Sequence, residues 1–109
     1  MAIKANLIID QGTTYSTTID VTDDNDVPIN LNGYTGTAQL RKHYSSSNST
    51  VFTVSLAPLD GIIILSLTST QTAALKAGRY VYDVELTNTS NVVSRIVEGI
   101  VTVTPQVTR

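Results

Sequence analysis

The segment Leu75–Tyr82 reads LKAGRYVY, and it joins two different sequence patterns. Upstream, Thr68 is followed three residues later by Gln71, which is the spacing of a capping box at a helix N-terminus. The alanines and the leucine that come next are good helix formers, and Gly78 suits the left-handed position just after a helix. We therefore predict a short helix that ends at Gly78 and is held by packing through Ala74 and Leu75, because two turns of helix are marginal alone in water.

Tyr80 and Tyr82 follow this helix two positions apart, so they share one face of a predicted strand. The chain has one Phe, no Trp and no Cys, so these rings supply bulk that a core needs. A short helix, a glycine and then Tyr-x-core residue is how immunoglobulin-like domains enter their penultimate strand, where the tyrosine hydroxyl bonds back to the crossover backbone. Gly78, Tyr80 and Tyr82 are predicted to form such a tyrosine corner. Two ordinary strand tyrosines are the alternative.

Apolar and polar residues alternate with a period of two along most of the chain, the pattern of half-buried strands. The predicted inner-face residues are Tyr15, Thr17, Ile19, Val21, Ala38, Leu40, Phe52, Val54, Leu56, Leu65, Leu67, Tyr80, Tyr82, Val84 and Leu86. Turn-forming segments separate the runs at the intervals of a sandwich. In the last predicted strand, Gly99 is a candidate bulge. We predict one all-β domain over residues 1–109, an immunoglobulin-like β-sandwich of about seven strands with one short helix before the penultimate strand.

The amino-acid composition argues against several classes of function. The charged fraction is 15%, below the roughly 25% of typical soluble domains. The net charge is −2 and no basic stripe is present, so we expect no nucleic-acid partner. The apolar runs are too short for a signal peptide or a bilayer span, so we expect no membrane association. The absence of Cys excludes disulfides and thiolate chemistry.

Four isoleucines in the predicted strands stand in the phase that faces away from the core. They are Ile62, Ile64, Ile96 and Ile100. A strand that is apolar on both faces is either covered within the protein or part of an interface. Charged residues are depleted at interface cores, which agrees with the weakly charged composition. These residues are the candidate interface, and we expect a homo-oligomer or contacts with other proteins.

Three other groups of residues are candidate sites for metal binding or catalysis. The turn that contains Asp23, Asp24 and Asp26 offers hard oxygen ligands, but it lacks the six to eight that Ca²⁺ takes, so we expect a solvated turn. His43 has no nucleophile elbow to serve, and Asp83 and Glu85 lie side by side on one strand face rather than across a cleft. We expect no catalytic, cofactor or metal site and no enzymatic activity.

The order of these features along residues 10–104 resembles a known family. It runs from DQGTTYSTTIDVTDDNDVPINLNGYTGTAQLRK to GIIILSLTSTQTAALKAGRYVYDVELTNTSNVVSRIVEGIVTV. It looks like the small immunoglobulin-like modules of tailed-phage virions, in particular the N-terminal domain of baseplate upper proteins and tail-fibre attachment modules. The shared features are a polar turn before the first strand, an acidic turn, the PINLNGYT entry and the helix–glycine–tyrosine crossover.

The resemblance implies a structural protein of a tailed bacteriophage, in the tail, baseplate or fibre attachment, that acts through contacts with other virion proteins. Its location would be the virion, assembled in the host cytoplasm. The sequence ends where a baseplate upper protein would continue, which leaves a capsid decoration protein open. A carbohydrate- or cell-surface-binding adhesion module is the alternative from another class. Such a module is expected to expose an aromatic platform, whereas a structural module is expected to bury Tyr15, Tyr80 and Tyr82.

Overall fold

A computed structural model describes residues 3–22, 25 and 27–107. The elements are β1 (Ile3–Lys4), β2 (Leu7–Asp10), β3 (Tyr15–Asp20), β4 (Thr35–Arg41), β5 (Thr50–Val51), β6 (Thr53–Ala57), β7 (Ile62–Leu67), α1 (Ser69–Ala73), β8 (Gly78–Thr87) and β9 (Val93–Thr104), with a 3-10 turn at Pro58–Asp60 between β6 and β7. The prediction of an all-β fold with one short helix before the penultimate strand is confirmed.

The strands form two sheets. The larger has the order β1-β9-β8-β4-β5, with β2 also paired to β9, and the smaller has the order β3-β7-β6. The chain passes from the smaller to the larger sheet through α1, which follows β7 and precedes β8. All pairs are antiparallel except those of β1 and β2, which run parallel to β9.

One hydrophobic core lies between the two sheets, and period-two alternation builds it. In β7, for example, Ile63, Leu65 and Leu67 are buried while the residues between them are partly exposed. The largest fully buried side chains are Ile9, Leu31, Leu40, Ile63, Leu65, Leu67, Leu86, Val84, Val97, Val101, Val103 and Thr72. Each large aliphatic side chain removed from water contributes about 1.5–3 kcal/mol, so this shared core is the main source of stability.

The capping box predicted for α1 is present. The Thr68 hydroxyl accepts from the Gln71 N–H at 3.2 Å, and the Gln71 side chain accepts from the Thr68 N–H at 2.8 Å. Packing holds the helix through Leu75, which is 6% exposed, and through Thr72, whose hydroxyl donates to the Thr13 carbonyl at 2.7 Å. Ala74, predicted to pack beside Leu75, is exposed instead. Neither α1 nor the 3-10 turn has the length and hydropathy that a membrane crossing needs.

The N-terminal strands run alongside the last strand. Residues 3 and 4 pair with residues 97 and 98, and residues 7–10 pair with residues 101–104. Since the pairing is parallel, the chain enters beside the middle of β9 and leaves beyond its C-terminal end. Ile3 and Lys4 are therefore displaced along the strand direction from the C-terminal end of β9, within a body of 43 × 27 × 22 Å.

Candidate functional site

The Tyr80 hydroxyl donates to the Lys76 carbonyl at 2.7 Å, so the side chain closes over the crossover that precedes its own strand. This is the bond expected of a tyrosine corner. The Lys42 ammonium lies 5.0 Å from the centre of the Tyr80 ring, at cation–π distance. Tyr80 is therefore half-buried between the crossover and the end of β4 rather than sealed in the core.

Gly78 has a different role from the one predicted. The helix ends at Ala73 with Ala74 as its cap, and Gly78 is the first residue of β8, where it pairs with Val103. Its φ of 141° lies in a region that L-residues rarely adopt, and a Cβ there would come within 2.9 Å of Lys42 Nζ. Gly78 does use the backbone conformation that favours glycine, as predicted. It uses it at the start of β8 and not at the end of the helix, because α1 is shorter than the helical sequence pattern.

Tyr82 is 4% exposed and packs edge-on against Phe52, with ring centres 6.2 Å apart and planes at 66°. Its hydroxyl donates to the Ala5 carbonyl, between β1 and β2. Burial raises the pKa of Tyr82 to about 12, and the neighbouring Tyr15 adds to the shift. With a pKa of about 12, Tyr82 stays un-ionised throughout the physiological pH range. The neutral phenol therefore keeps the proton that it donates to the Ala5 carbonyl.

Gly99 lies opposite Tyr82 in the ladder and marks a close approach, not a bulge as its sequence position suggested. A Cβ there would overlap the Ala5 carbonyl and lie 3.1 Å from the Tyr82 ring. The irregularity in the β8–β9 ladder is three residues earlier in β9, where Val84 pairs with Val97 but Glu85 pairs with Arg95. The residue between them in β9 is the extra one.

That extra residue is Ile96, and the bulge changes its direction. Ile96 is half-buried and packs against the core, where it lines a cavity of about 120 Å³ with Leu31 and Tyr34. Of the candidate interface residues in β9, only Ile100 therefore faces away from the core, and it is 41% exposed. The expectation that Ile96 shares this face is wrong, because an inserted residue resets the two-residue alternation.

Ile62 and Ile64 lie on the outer face of the smaller sheet, as predicted, and both are half-buried. Their strand neighbours on that face are Asp20 and Thr18 in β3 and Ala57 and Ser55 in β6, respectively. Strand β7 is paired on both sides, and β9 lies between β8 and the two N-terminal strands. Pairing with another chain along a free strand edge is therefore excluded for β7 and for the paired length of β9.

The outer face of the larger sheet carries an apolar group that the sequence analysis missed. Ile8 in β2 is 68% exposed, and it lies diagonally beside Ile100, whose ladder partner in β8 is Val81. We call Ile8, Val81 and Ile100 the large-sheet face. The missed signal was the phase of LIID, in which Leu7 and Ile9 face inward and Ile8 must face outward.

The remaining described candidates, His43, Asp83 and Glu85, lie at the surface and are not brought together in one site. Asp23, Asp24 and Asp26 lie outside the described residues. His43 is exposed, and its backbone N–H donates to the Ser46 hydroxyl at 3.0 Å in a loop turn. Asp83 forms an ion pair with Arg95 at 3.3 Å on the outer face of the larger sheet. Within the described ranges, His, Asp and Glu side chains form no group of three or more that could hold a metal ion.

A cleft of about 350 Å³ opens where β4 ends and β8 begins. Its lining combines Leu40, Arg41, Lys42 and Tyr80 with residues 46–50, from the β4–β5 loop and the start of β5. The Arg41 guanidinium donates to the Ser46 carbonyl at 2.7 Å and to Gln39 Oε1 at 3.0 Å, so it ties the loop to the sheet. This cleft was not identified from the sequence.

Comparison with known proteins bears on the fold. No family model and no curated protein matches the sequence. Among solved structures, the chain is similar to a Listeria monocytogenes internalin-like protein, with a TM-score of 0.53 and 17% sequence identity. The match covers 94% of this chain and 28% of that one. A likeness at this identity supports a shared all-β, sandwich-like fold and nothing about activity.

Proposed function

We propose that this protein is an immunoglobulin-like β-sandwich module with a structural role, acting through protein–protein contacts. The strand order supports the fold assignment. The sequence β3-β7-β6 in one sheet and β9-β8-β4-β5 in the other corresponds to strands B-E-D and G-F-C-C′ of that fold. The helical crossover from β7 to β8 and the Tyr80–Lys76 bond stand at the place of the E–F crossover and its tyrosine corner.

The large-sheet face carries the functional proposal. Ile8 and Ile100 expose 68% and 41% of their surfaces beside each other on a regular, hydrogen-bonded sheet. Burying such side chains against a partner is favourable by roughly 25 cal/mol per Å² of apolar surface. Ile62 and Ile64 offer a second, less exposed pair on the opposite side. Two apolar faces on one small body suit a module that joins other proteins or copies of itself.

The setting that we propose is the virion of a tailed bacteriophage, in the tail, baseplate or fibre attachment, with other virion proteins and copies of this chain as partners. The support is the sequence resemblance over residues 10–104. A capsid decoration protein would use the same contacts. The proposal includes no catalytic activity, cofactor, nucleic acid or membrane.

Mass spectrometry of tailed-phage particles, purified by density gradient from a culture that produces the protein, tests the setting. We expect stoichiometric amounts in intact particles, and cryo-electron microscopy then locates the density beside a baseplate, fibre or capsid protein. A matched fraction of the lysate without particles is the control. Recovery of the protein in that fraction alone would contradict the virion assignment.

The adhesion alternative predicts an exposed aromatic platform. Among the described tyrosines, Tyr44 is 83% exposed, while Tyr15, Tyr34 and Tyr80 are half-buried and Tyr82 is buried. A single exposed ring is a small platform, so the geometry favours the structural role over recognition by aromatic stacking.

A further inference from the structure

The cleft between the β4–β5 loop and the start of β8 is lined in a way that points to a ligand. Two cationic residues, Arg41 and Lys42, line it together with Leu40, Tyr80 and five residues that carry hydroxyl or amide groups. These five residues are Ser46, Ser47, Asn48, Ser49 and Thr50. No carboxylate belongs to the lining. A concentration of donors around unneutralised positive charge is complementary to an oxyanion that also carries hydroxyl groups.

The cleft is built before any ligand arrives. The loop is closed by the backbone bond from Ser46 to the His43 carbonyl at 3.0 Å, by the bond from the His43 N–H to the Ser46 hydroxyl, and by the Arg41 guanidinium. On the facing side, the Tyr80–Lys76 bond fixes the ring beneath the Lys42 ammonium. A preorganised site loses less conformational entropy when it binds, so each polar contact contributes more of its strength to affinity.

The charges of the two cations are available to a ligand. The partners of Arg41 are a neutral carbonyl and a neutral amide, and Lys42 faces an aromatic ring. The ion pairs found in the described residues both belong to Arg95, on the outer face of the larger sheet. The lining of the cleft itself holds no carboxylate, and the nearest one to Arg41 in a pocket lining is Asp83, in the neighbouring pocket that Arg41 shares with Tyr44.

We propose that this cleft binds an acidic saccharide, with the acid group held by Lys42 and Arg41 and the sugar hydroxyls held by the serine-rich loop. A volume of about 350 Å³ is near the lower end of ligand pockets, which suits one sugar residue. The shared chemistry is an oxyanion on a polyol, whether the acid is the carboxylate of a uronic acid or the phosphate of a phosphorylated sugar. This recognition by charge and hydrogen bonds is independent of the structural role proposed above.

Titration of the full chain, followed by NMR chemical shifts of its backbone amides, tests the proposal at low salt and at 0.15 M salt. The probes are glucuronate, glucose 6-phosphate, glucose and inorganic phosphate. We expect saturable shifts in residues 41–50 with at least one of the two acidic sugars, weaker at the higher salt because screening reduces the attraction. A response to one acidic sugar alone identifies the acid group. Equal binding of glucose, or of inorganic phosphate, would overturn the saccharide assignment, as would the absence of saturation with both acidic sugars.

Three variants distinguish binding in the cleft from non-specific attraction to surface charge. Lys42→Gln is expected to weaken binding by about tenfold, the loss expected for one charge-assisted contact. Arg79→Gln is the matched control, because Arg79 is an exposed cation outside the lining, and its affinity should stay within about twofold. Ser47→Asp, an exposed substitution that adds a negative charge to the loop, should reduce binding further. Equal losses in Lys42→Gln and Arg79→Gln would show non-specific attraction and contradict the proposal.

Discussion

The Tyr82 hydroxyl reaches the carbonyl of Ala5, a residue 77 positions earlier in the chain. Ala5 lies in the break between β1 and β2, where its own N–H donates to the Glu98 carbonyl at 3.0 Å, and the Asn6 side chain accepts from the Ile100 N–H at 3.1 Å. Hydrogen bonds with Tyr82, Glu98 and Ile100 therefore hold the break between β1 and β2 in place. A single buried phenol links the first strands, the core and the penultimate strand.

Replacement of Tyr82 by Phe should lower the free energy of unfolding by about 1–3 kcal/mol, because the change leaves the Ala5 carbonyl without its donor while the ring remains in place. Urea unfolding followed by circular dichroism measures the loss. Tyr44→Phe is the control, since its ring is 83% exposed, and it should be neutral. A Tyr82→Phe protein as stable as the wild type would mean that the hydroxyl bond contributes nothing.

The stability should also fall at high pH. The pKa of Tyr82 is about 12 in the folded protein, against 10.0 for an exposed phenol, so unfolding favours release of its proton. The stabilisation is complete below pH 10 and is lost progressively as the pH rises from about 10 to 12. Urea midpoints measured across this range should decline less in Tyr82→Phe than in the wild type. Parallel declines in the two proteins would assign the effect to other groups.

Substitution of Gly99 by Ala should destabilise the protein by about 1–3 kcal/mol, the usual result of overpacking a fitted site. The added Cβ would overlap the Ala5 carbonyl and press on the Tyr82 ring, so it disturbs the same hydrogen bond from the opposite side. A shift of several degrees in Tm is expected for a domain of this size. Ser94→Ala, an exposed change in the same strand, provides the comparison and should leave Tm nearly unchanged.

The corner bond predicts a smaller effect at Tyr80. Tyr80→Phe removes the bond to the Lys76 carbonyl and should cost about 0.5–1.5 kcal/mol, because the freed carbonyl lies at the surface, where water can replace the donor. Tyr80→Ala should cost several times more, since it also removes the ring that packs against the core. An unchanged thermal melting curve for the Phe variant, again judged against Tyr44→Phe, would argue against a stabilising corner.

Self-association is expected through the large-sheet face. Light scattering and analytical ultracentrifugation should show the wild type associating at high protein concentration, and the double variant Ile8→Lys, Ile100→Lys should shift it towards monomer. The matched double variant Ile62→Lys, Ile64→Lys tests the opposite face and should have the weaker effect, because those side chains are less exposed. A wild type that remains monomeric throughout would contradict homo-oligomer formation by this protein.

Alternation and capping were sufficient to predict much of this fold. The inward residues of β4, β7 and β8 follow directly from a period of two, and the capping box of α1 is visible as Thr68 and Gln71. These are local signals, and each depends on residues within a few positions of one another. The same is true of the hairpin before β9, where Asn91 has a φ of 63° and its N–H donates to the Asn88 carbonyl.

The errors involve contacts that no local pattern contains. Whether Gly99 marks a bulge or a close approach depends on Ala5, a residue from the other end of the chain. The direction of Ile96 depends on a bulge set by how β8 and β9 pair. The cleft is likewise formed by two segments, residues 41–50 and Tyr80, that meet only in the folded protein.

The parallel alignment of β1 and β2 with β9 has a mechanical consequence. A pull on the two chain ends acts along these strands in opposite directions, so the hydrogen bonds joining residues 3–10 to residues 97–104 are loaded together in shear. They cannot open one after another as they would in a hairpin pulled apart from its free end. Resistance to forced unfolding is a matter of rate, and a barrier that requires many bonds to break at once keeps that rate low. Tension carried through this protein would therefore be opposed by a ladder that is loaded in shear.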